Sequence, residues 1–433
     1  TEDQRVRAIA ISGTPGGDGG AIFLDVLGDA IQDIATARNF LTPNISVTEF
    51  PDSLLPTVIS ARLNFSTGQI SFFFSETIDL SPLSNFKLDQ IYLSNASDHE
   101  NVSIADAVLA SPDAVSFSAI LTEKERTDAL RLSGVPGGDG GQSYLKLKGG
   151  SFRDIAINYN LPSTLLVDEI PDTLLPFLAN MTLNLSTGVL SIIPSETLDM
   201  NSIQLTHIHI SNSVGSKTFS VVGSSVYSPN EGVSLTITLT EWQRADAIHL
   251  SGTSGGDGNA LYVDVDQDGF RDRAGNGCND LYGVNVVEIR DSIMPTVTEI
   301  LVFFSNGTVV IRFSEVIDVT PEAYVQLDKI FLANVSTDAA NSVSLSGATI
   351  TSVDGLFLRL ILSEPQRIRA LEFSAEQGGD GVPLVADVYA GAVRDRAQNP
   401  NGDTLGFVVI EEPDTVPPRL ISAKLDLNVG MLT

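Results

Sequence analysis

The residues with the clearest capacity for chemistry are Asp264, Asp266, Asp268 and Asp272, with Gly269 closing the D-x-D-x-D-G segment. Alternating carboxylates before a glycine turn can present several hard oxygens to Ca²⁺, although the glutamate that completes an EF-hand loop is missing. The four aspartates are the expected calcium ligands, in competition with a plain solvated acidic turn. A second calcium candidate is the set of acidic joints Glu49/Asp52, Glu169/Asp172 and Glu288/Asp291, with Asp79 or Asp199 as loop acids nearby. No other cofactor is called for. His207 and His209 alternate on one predicted strand face. No G-x-S-x-G or H-E-x-x-H segment is present, and no histidine is spaced to serve a serine or cysteine nucleophile. The expectation is that the chain is not an enzyme.

What positions these residues is a repeat. Gly-Gly-Asp-Gly occurs four times, with its aspartate at Asp18, Asp139, Asp257 and Asp380, spaced 121, 118 and 123 residues apart. A period near 120 residues means one folding unit reused along the chain. The divisions are 1–52 (the C-terminal part of a unit), 53–172, 173–291 and 292–414 (complete units), and 415–433 (the first strands of a further one). Two explanations compete for the partial ends: a window on a longer continuous array, or ends of successive molecules that complete each other head to tail.

Within each unit the signals are those of strands. Ala61, Leu63 and Phe65 alternate, as do Met181/Leu183/Leu185, Ile300/Val302/Phe304 and Ala423/Leu425/Leu427. Period two marks a half-buried strand. A turn at Gly68, Gly188, Gly307 or Gly430 leads into a returning strand that ends in Ser-Glu, at Glu76, Glu196 and Glu315. Later come four capping boxes, Thr1-x-x-Gln4, Thr122-x-x-Glu125, Thr240-x-x-Gln243 and Ser363-x-x-Gln366, each predicting one helical turn followed by a strand. A recurring arginine follows each box (Arg5, Arg126, Arg244, Arg367), and a turn aspartate recurs as Asp33, Asp154, Asp272 and Asp395. The predicted fold is all-β: tandem Ig-like antiparallel β-sandwiches, each with one short helical turn.

Phe74-Ser-Glu-Thr-Ile-Asp79 and Phe313-Ser-Glu-Val-Ile-Asp318, with the closing Asp272-Arg-Ala-Gly-Asn276, resemble the FSE-x-(I/V)-D and D-x-x-G-N motifs of bacterial-type Ig-like domains. Such repeats occur in surface layers, giant adhesins and large extracellular proteins of algae and protists. The resemblance covers the three complete units and implies a spacer or structural role. Pro194 departs from it, and Gly275 has no glycine counterpart after Asp154 or Asp395.

Composition narrows the setting. With 54 acidic and 25 basic residues the chain carries a net charge of −29, which disfavours nucleic acid and anionic membranes as partners. No stretch is apolar enough for membrane insertion. Cys278 is the single cysteine, so no disulfide can form within the chain. Eight Asn-X-Ser/Thr sequons stand at Asn44, Asn64, Asn95, Asn101, Asn180, Asn184, Asn306 and Asn334. They imply N-linked glycans and an extracellular or cell-surface location. The function expected is that of a glycosylated segment of an extracellular filament that partners with itself. The alternative is a calcium-stiffened adhesin stalk.

Overall fold

The computed structural model describes all residues except 97–100, 110, 136, 139, 141–142, 230–231, 375–383 and 433. Asp139, Asp380 and His99 therefore lie outside the described residues.

Each complete unit is a sandwich of two sheets. In the second, one sheet runs Ser225–Tyr227, Leu235–Thr238, Val189–Pro194, Leu178–Asn184, Val287–Ile289. The other runs Phe219–Ser220, Ile208–Ser211, Tyr262–Val265, Leu281–Asn285. The third unit repeats this order. In the first, the strand Ser163–Ile170 continues unbroken from one sheet to the other. It pairs antiparallel with Tyr144–Leu147, then parallel with Val58–Asn64. The parallel pair between first and last strands recurs as Thr182 to Asn184 beside Val287 to Ile289, and as Leu301 to Phe303 beside Ile410 to Glu412. All other pairings are antiparallel.

The alternation sets the core. Ala61, Leu63, Phe65, Ile70, Phe72 and Phe74 are buried, as are their counterparts in the other complete units. In the first unit Phe72, Phe74, Phe86, Phe117 and Phe152 pack with ring centroids 5.0 to 6.2 Å apart. Edge and tilted contacts of this kind add to the burial of area itself. Pro194 closes its strand with its ring buried and no ladder proton to lose.

The helical segment is longer than the single turn expected. The capping boxes start α1 (Glu2–Ile11), α2 (Glu123–Leu130), α3 (Glu241–Leu250) and α4 (Glu364–Phe373), and all four boxes are closed in both directions. Among the described residues no strand follows before the glycine loop. Alanine and leucine carry the helix through the segment read as a strand, because local propensity and a closed cap reinforce each other. The loop then explains its own composition. A Cβ on Gly138 or Gly256 would stand 2.3 or 2.2 Å from the side chain of Phe65 or Leu185. One on Gly140 or Gly258 would stand 2.0 or 1.9 Å from the carbonyl oxygen of Ser133 or Ser251. The motif is thus a set of close approaches that let the helix end lie on the first hairpin.

The turn after each inner strand holds a left-handed residue: Gly275 at φ 91°, Ile157 at φ 70° and Gln398 at φ 68°. A β-branched side chain there is strained by roughly 1–2 kcal/mol. Ile157→Gly is expected to raise the unfolding midpoint of the first unit, by about 1 kcal/mol of added stability once the glycine entropy is deducted. Calorimetry of the full chain reads this directly, and a lowered midpoint would contradict it.

Candidate functional site

The distinctive side-chain chemistry lies where one unit meets the next. At the joint of units 173–291 and 292–414, Arg244 projects from α3 and all five of its N–H groups are used. Nε and Nη2 each donate to Glu241 at 2.7 Å. Nη1 donates to the Leu185 carbonyl at 2.8 Å and to Asp291 at 2.6 Å, and Nη2 reaches Glu315 of the next unit at 2.7 Å. A planar fork with fixed donors suits such a junction better than an ammonium would. Glu241 also accepts from the Val316 amide across the joint at 2.8 Å. The Asn399 side chain donates to Asp395 at 2.9 Å and to the Asp291 carbonyl at 3.4 Å. Ala397, from the same turn, is buried with the core of the preceding unit.

The arrangement recurs. Arg126 donates to Glu123 at 2.7 Å, to the Phe65 carbonyl at 2.9 Å, to Asp172 at 2.7 Å and to Glu196 at 3.1 Å. Asn276 and Ala274 repeat the turn contacts, onto the Asp172 carbonyl and the first unit's core. Arg5 bonds Glu2, Asp52 and Glu76 in the same way, and Asn158 bonds the Asp52 carbonyl. Arg367 makes the within-unit half of the set with Glu364, the Phe304 carbonyl and Asp414. The arginine side chains at the two central joints are 7% and 5% exposed, against 34% for Arg5 and 20% for Arg367. Water therefore screens the outer pairs and hardly reaches the inner ones.

Each complete joint also gathers three carboxylates whose oxygens lie within 4.8 Å of one another: Asp52/Glu76/Asp154, Asp172/Glu196/Asp272 and Asp291/Glu315/Asp395. One guanidinium cannot balance so much negative charge. Burial pushes Glu196 and Glu315 up to about 7, against the pull of Arg126 and Arg244. Burial likewise lifts Asp395 to about 6. At the outer joint, the hydrogen bond from Arg5 holds Glu2 down at about 2.

The aspartates of the D-x-D-x-D-G segment are held apart by separate partners. Asp264 is buried and accepts from the Gly215 and Gly283 amides at 3.1 and 2.7 Å and from the Ser211 hydroxyl at 3.0 Å. Asp387 does the same work in the next unit. Asp266 pairs with Lys217 and sits 3.3 Å from His209. Asp268 pairs with Arg271 at 2.8 Å, and Asp272 faces the joint. Half of the acidic-joint reading is also redrawn. Glu49, Glu169 and Glu288 are bonded to Ser12, Ser133 and Ser251, and Glu169 and Glu288 belong to the last strands of their units. Asp79 pairs with Arg153, and Asp199 caps a short helical turn. Only Asp52, Asp172 and Asp291 reach the joint. The sequence signal for these partners is their recurrence at one place in every complete unit: Glu76/196/315, the arginines and the turn aspartates.

Asn44, Asn95, Asn101, Asn180 and Asn306 are exposed. Asn64, Asn184 and Asn334 are half-buried, and the side-chain oxygens of Asn64 and Asn184 accept from Ser66 and Ser186 at 2.9 and 3.0 Å. No helix among the described residues is long and apolar enough to cross a membrane.

No family model and no curated protein sequence matches the chain. Among solved structures it is similar to the S-layer protein rSbsC(31-844), at 9% identity over 55% of this chain and 26% of that one, TM-score 0.19. It is similar to a Dscam isoform structure, at 8% identity over 82% and 77%, TM-score 0.17. The insect immune protein hemolin aligns at 10% identity over 86% and 78%, TM-score 0.20. The chain thus spans about a quarter of the S-layer protein's length. At such scores nothing about activity or partners follows from these likenesses.

Proposed function

We propose that this chain is a segment of an extracellular, N-glycosylated filament built from tandem Ig-like sandwiches, and that its work is structural. The observation that carries this reading is the repeated joint. One buried arginine ties the first hairpin of its own unit, the connecting aspartate and the next unit's glutamate into one hydrogen-bonded set. A loose tether would need no such investment in buried charge. The exposure of five sequon asparagines supports the glycan reading, and such glycans with the net charge of −29 would keep neighbouring strands from aggregating.

The test is electron microscopy of native material, before and after chelation and before and after enzymatic removal of N-glycans. The expected result is continuous fibres with an axial repeat of one unit and side density lost on deglycosylation, indifferent to the chelator. Isolated rods that end in a distinct head and go limp without calcium would overturn the reading and identify an adhesin stalk.

A further inference from the structure

The joint between units 173–291 and 292–414 holds more buried carboxylates than its single guanidinium balances. Glu315 stands at the end of its strand, facing Arg244 and Glu241 from α3, Asp291 from the connecting segment and Asp395 from the turn of its own unit. Arg244 gives Glu315 one bond at 2.7 Å. Arg290 lies over Gly255 next to the connecting aspartate, and His249, Asp318 and Arg396 line the cleft beside the joint. Glu315, Asp291 and Asp395 are each at most 6% exposed. With one positive charge among four carboxylates, the closed joint keeps its excess charge out of water, whereas a parted joint would hydrate it.

We propose that this joint is a proton-operated coupling, in which a proton held among Glu315, Asp395 and Asp291 closes unit 292–414 onto unit 173–291 and its loss lets them part. This goes beyond the filament reading and stands or falls separately from it.

The sign follows from linkage. Burial raises Glu315 from 4.5 to about 7 and Asp395 from 3.8 to about 6. A raised carboxylate stabilises the closed joint in full below its ordinary value, and that contribution is lost as pH climbs through the raised one. The window runs from about 4.5 up to about 7, and closure is favoured on its acidic side.

The experiment is hydrogen exchange with mass spectrometry on the full chain, at about pH 5.5 and about pH 8, with protection corrected for intrinsic exchange rates. The Val316 amide, bonded to Glu241 across the joint, reports closure. Its protection is expected to be about tenfold or more greater at the lower pH. Glu315→Gln fixes the neutral form and is expected to keep high protection at both pH values, while core amides of both units stay unchanged. Equal protection of the wild-type joint at the two pH values would overturn the proposal. So would a Glu315→Gln chain that keeps the full pH difference, or one whose joint is unprotected throughout while its cores remain folded. Millimolar calcium at the higher pH is the third arm. Restoration of protection by calcium, with none by acid, would also overturn it.

Discussion

Arg244→Met is expected to destabilise the second unit and its attachment to the third by about 3–5 kcal/mol near neutral pH, one of the two largest single-residue effects in the chain. The side chain is 5% exposed and holds Glu241, Asp291 and Glu315 together. Methionine fills similar volume, so the loss isolates charge from packing. Three carboxylates and the Leu185 carbonyl each lose a donor where water enters poorly. The same substitution at Arg367, paired with Glu364 and Asp414 and 20% exposed, is expected to cost about 1 kcal/mol or less. Urea unfolding of the full chain, followed by probes in each unit, separates the two. Equal effects at both positions would mean that the arginine acts only through its own helix. Acidification offers a second check, because the Arg244→Met chain should regain part of its stability as the stranded carboxylates take up protons.

Gly258→Ala is expected to cost about 3 kcal/mol, at the upper end of what one added methyl does in a packed interior. Its Cβ would lie 1.9 Å from the Ser251 carbonyl oxygen and 3.0 Å from its carbon. That obstacle is backbone at the end of α3 and cannot rotate away. The Gly258 amide also donates to the Ser251 hydroxyl at 2.9 Å, and that hydroxyl is bonded to Glu288. A shift to admit the methyl would therefore disturb three segments. Gly402→Ala is the control, since a Cβ there meets nothing within 4 Å. A calorimetric trace in which both variants unfold like the parent would refute the close-approach account of the repeated glycines.

The sandwich was legible because its signals are local. Alternation at Ala61, Leu63 and Phe65 and the capping boxes each occupy a few consecutive residues, and each reappears in the structure as read. The helices were read too short because a cap reports where a helix starts and says little about where it stops. The joints were illegible for a different reason. Asn276 bonds a carbonyl 104 residues earlier, and Arg244 reaches a glutamate 71 residues later. Nothing in a local window announces such partners, so Asp172 and Asp291 read as calcium candidates at an acidic joint. The acidic segment shows the limit of adjacency in sequence. Asp264, Asp266 and Asp268 alternate along five residues, and in the structure each carboxylate has donors of its own.

The parallel pairing of first and last strands has a consequence for a chain under tension. Residues enter a unit along Leu178–Asn184 and leave along Val287–Ile289, two neighbouring strands that run the same way. Pulling on the chain slides one strand lengthwise past the other instead of peeling them apart from one end. The ladder bonds between them are then strained together and must break nearly at once, so the unit resists as a block until it yields abruptly. A hairpin pulled at its open end would give way one bond at a time. The same pair occurs in all three complete units, so each link in the string meets stretching in shear.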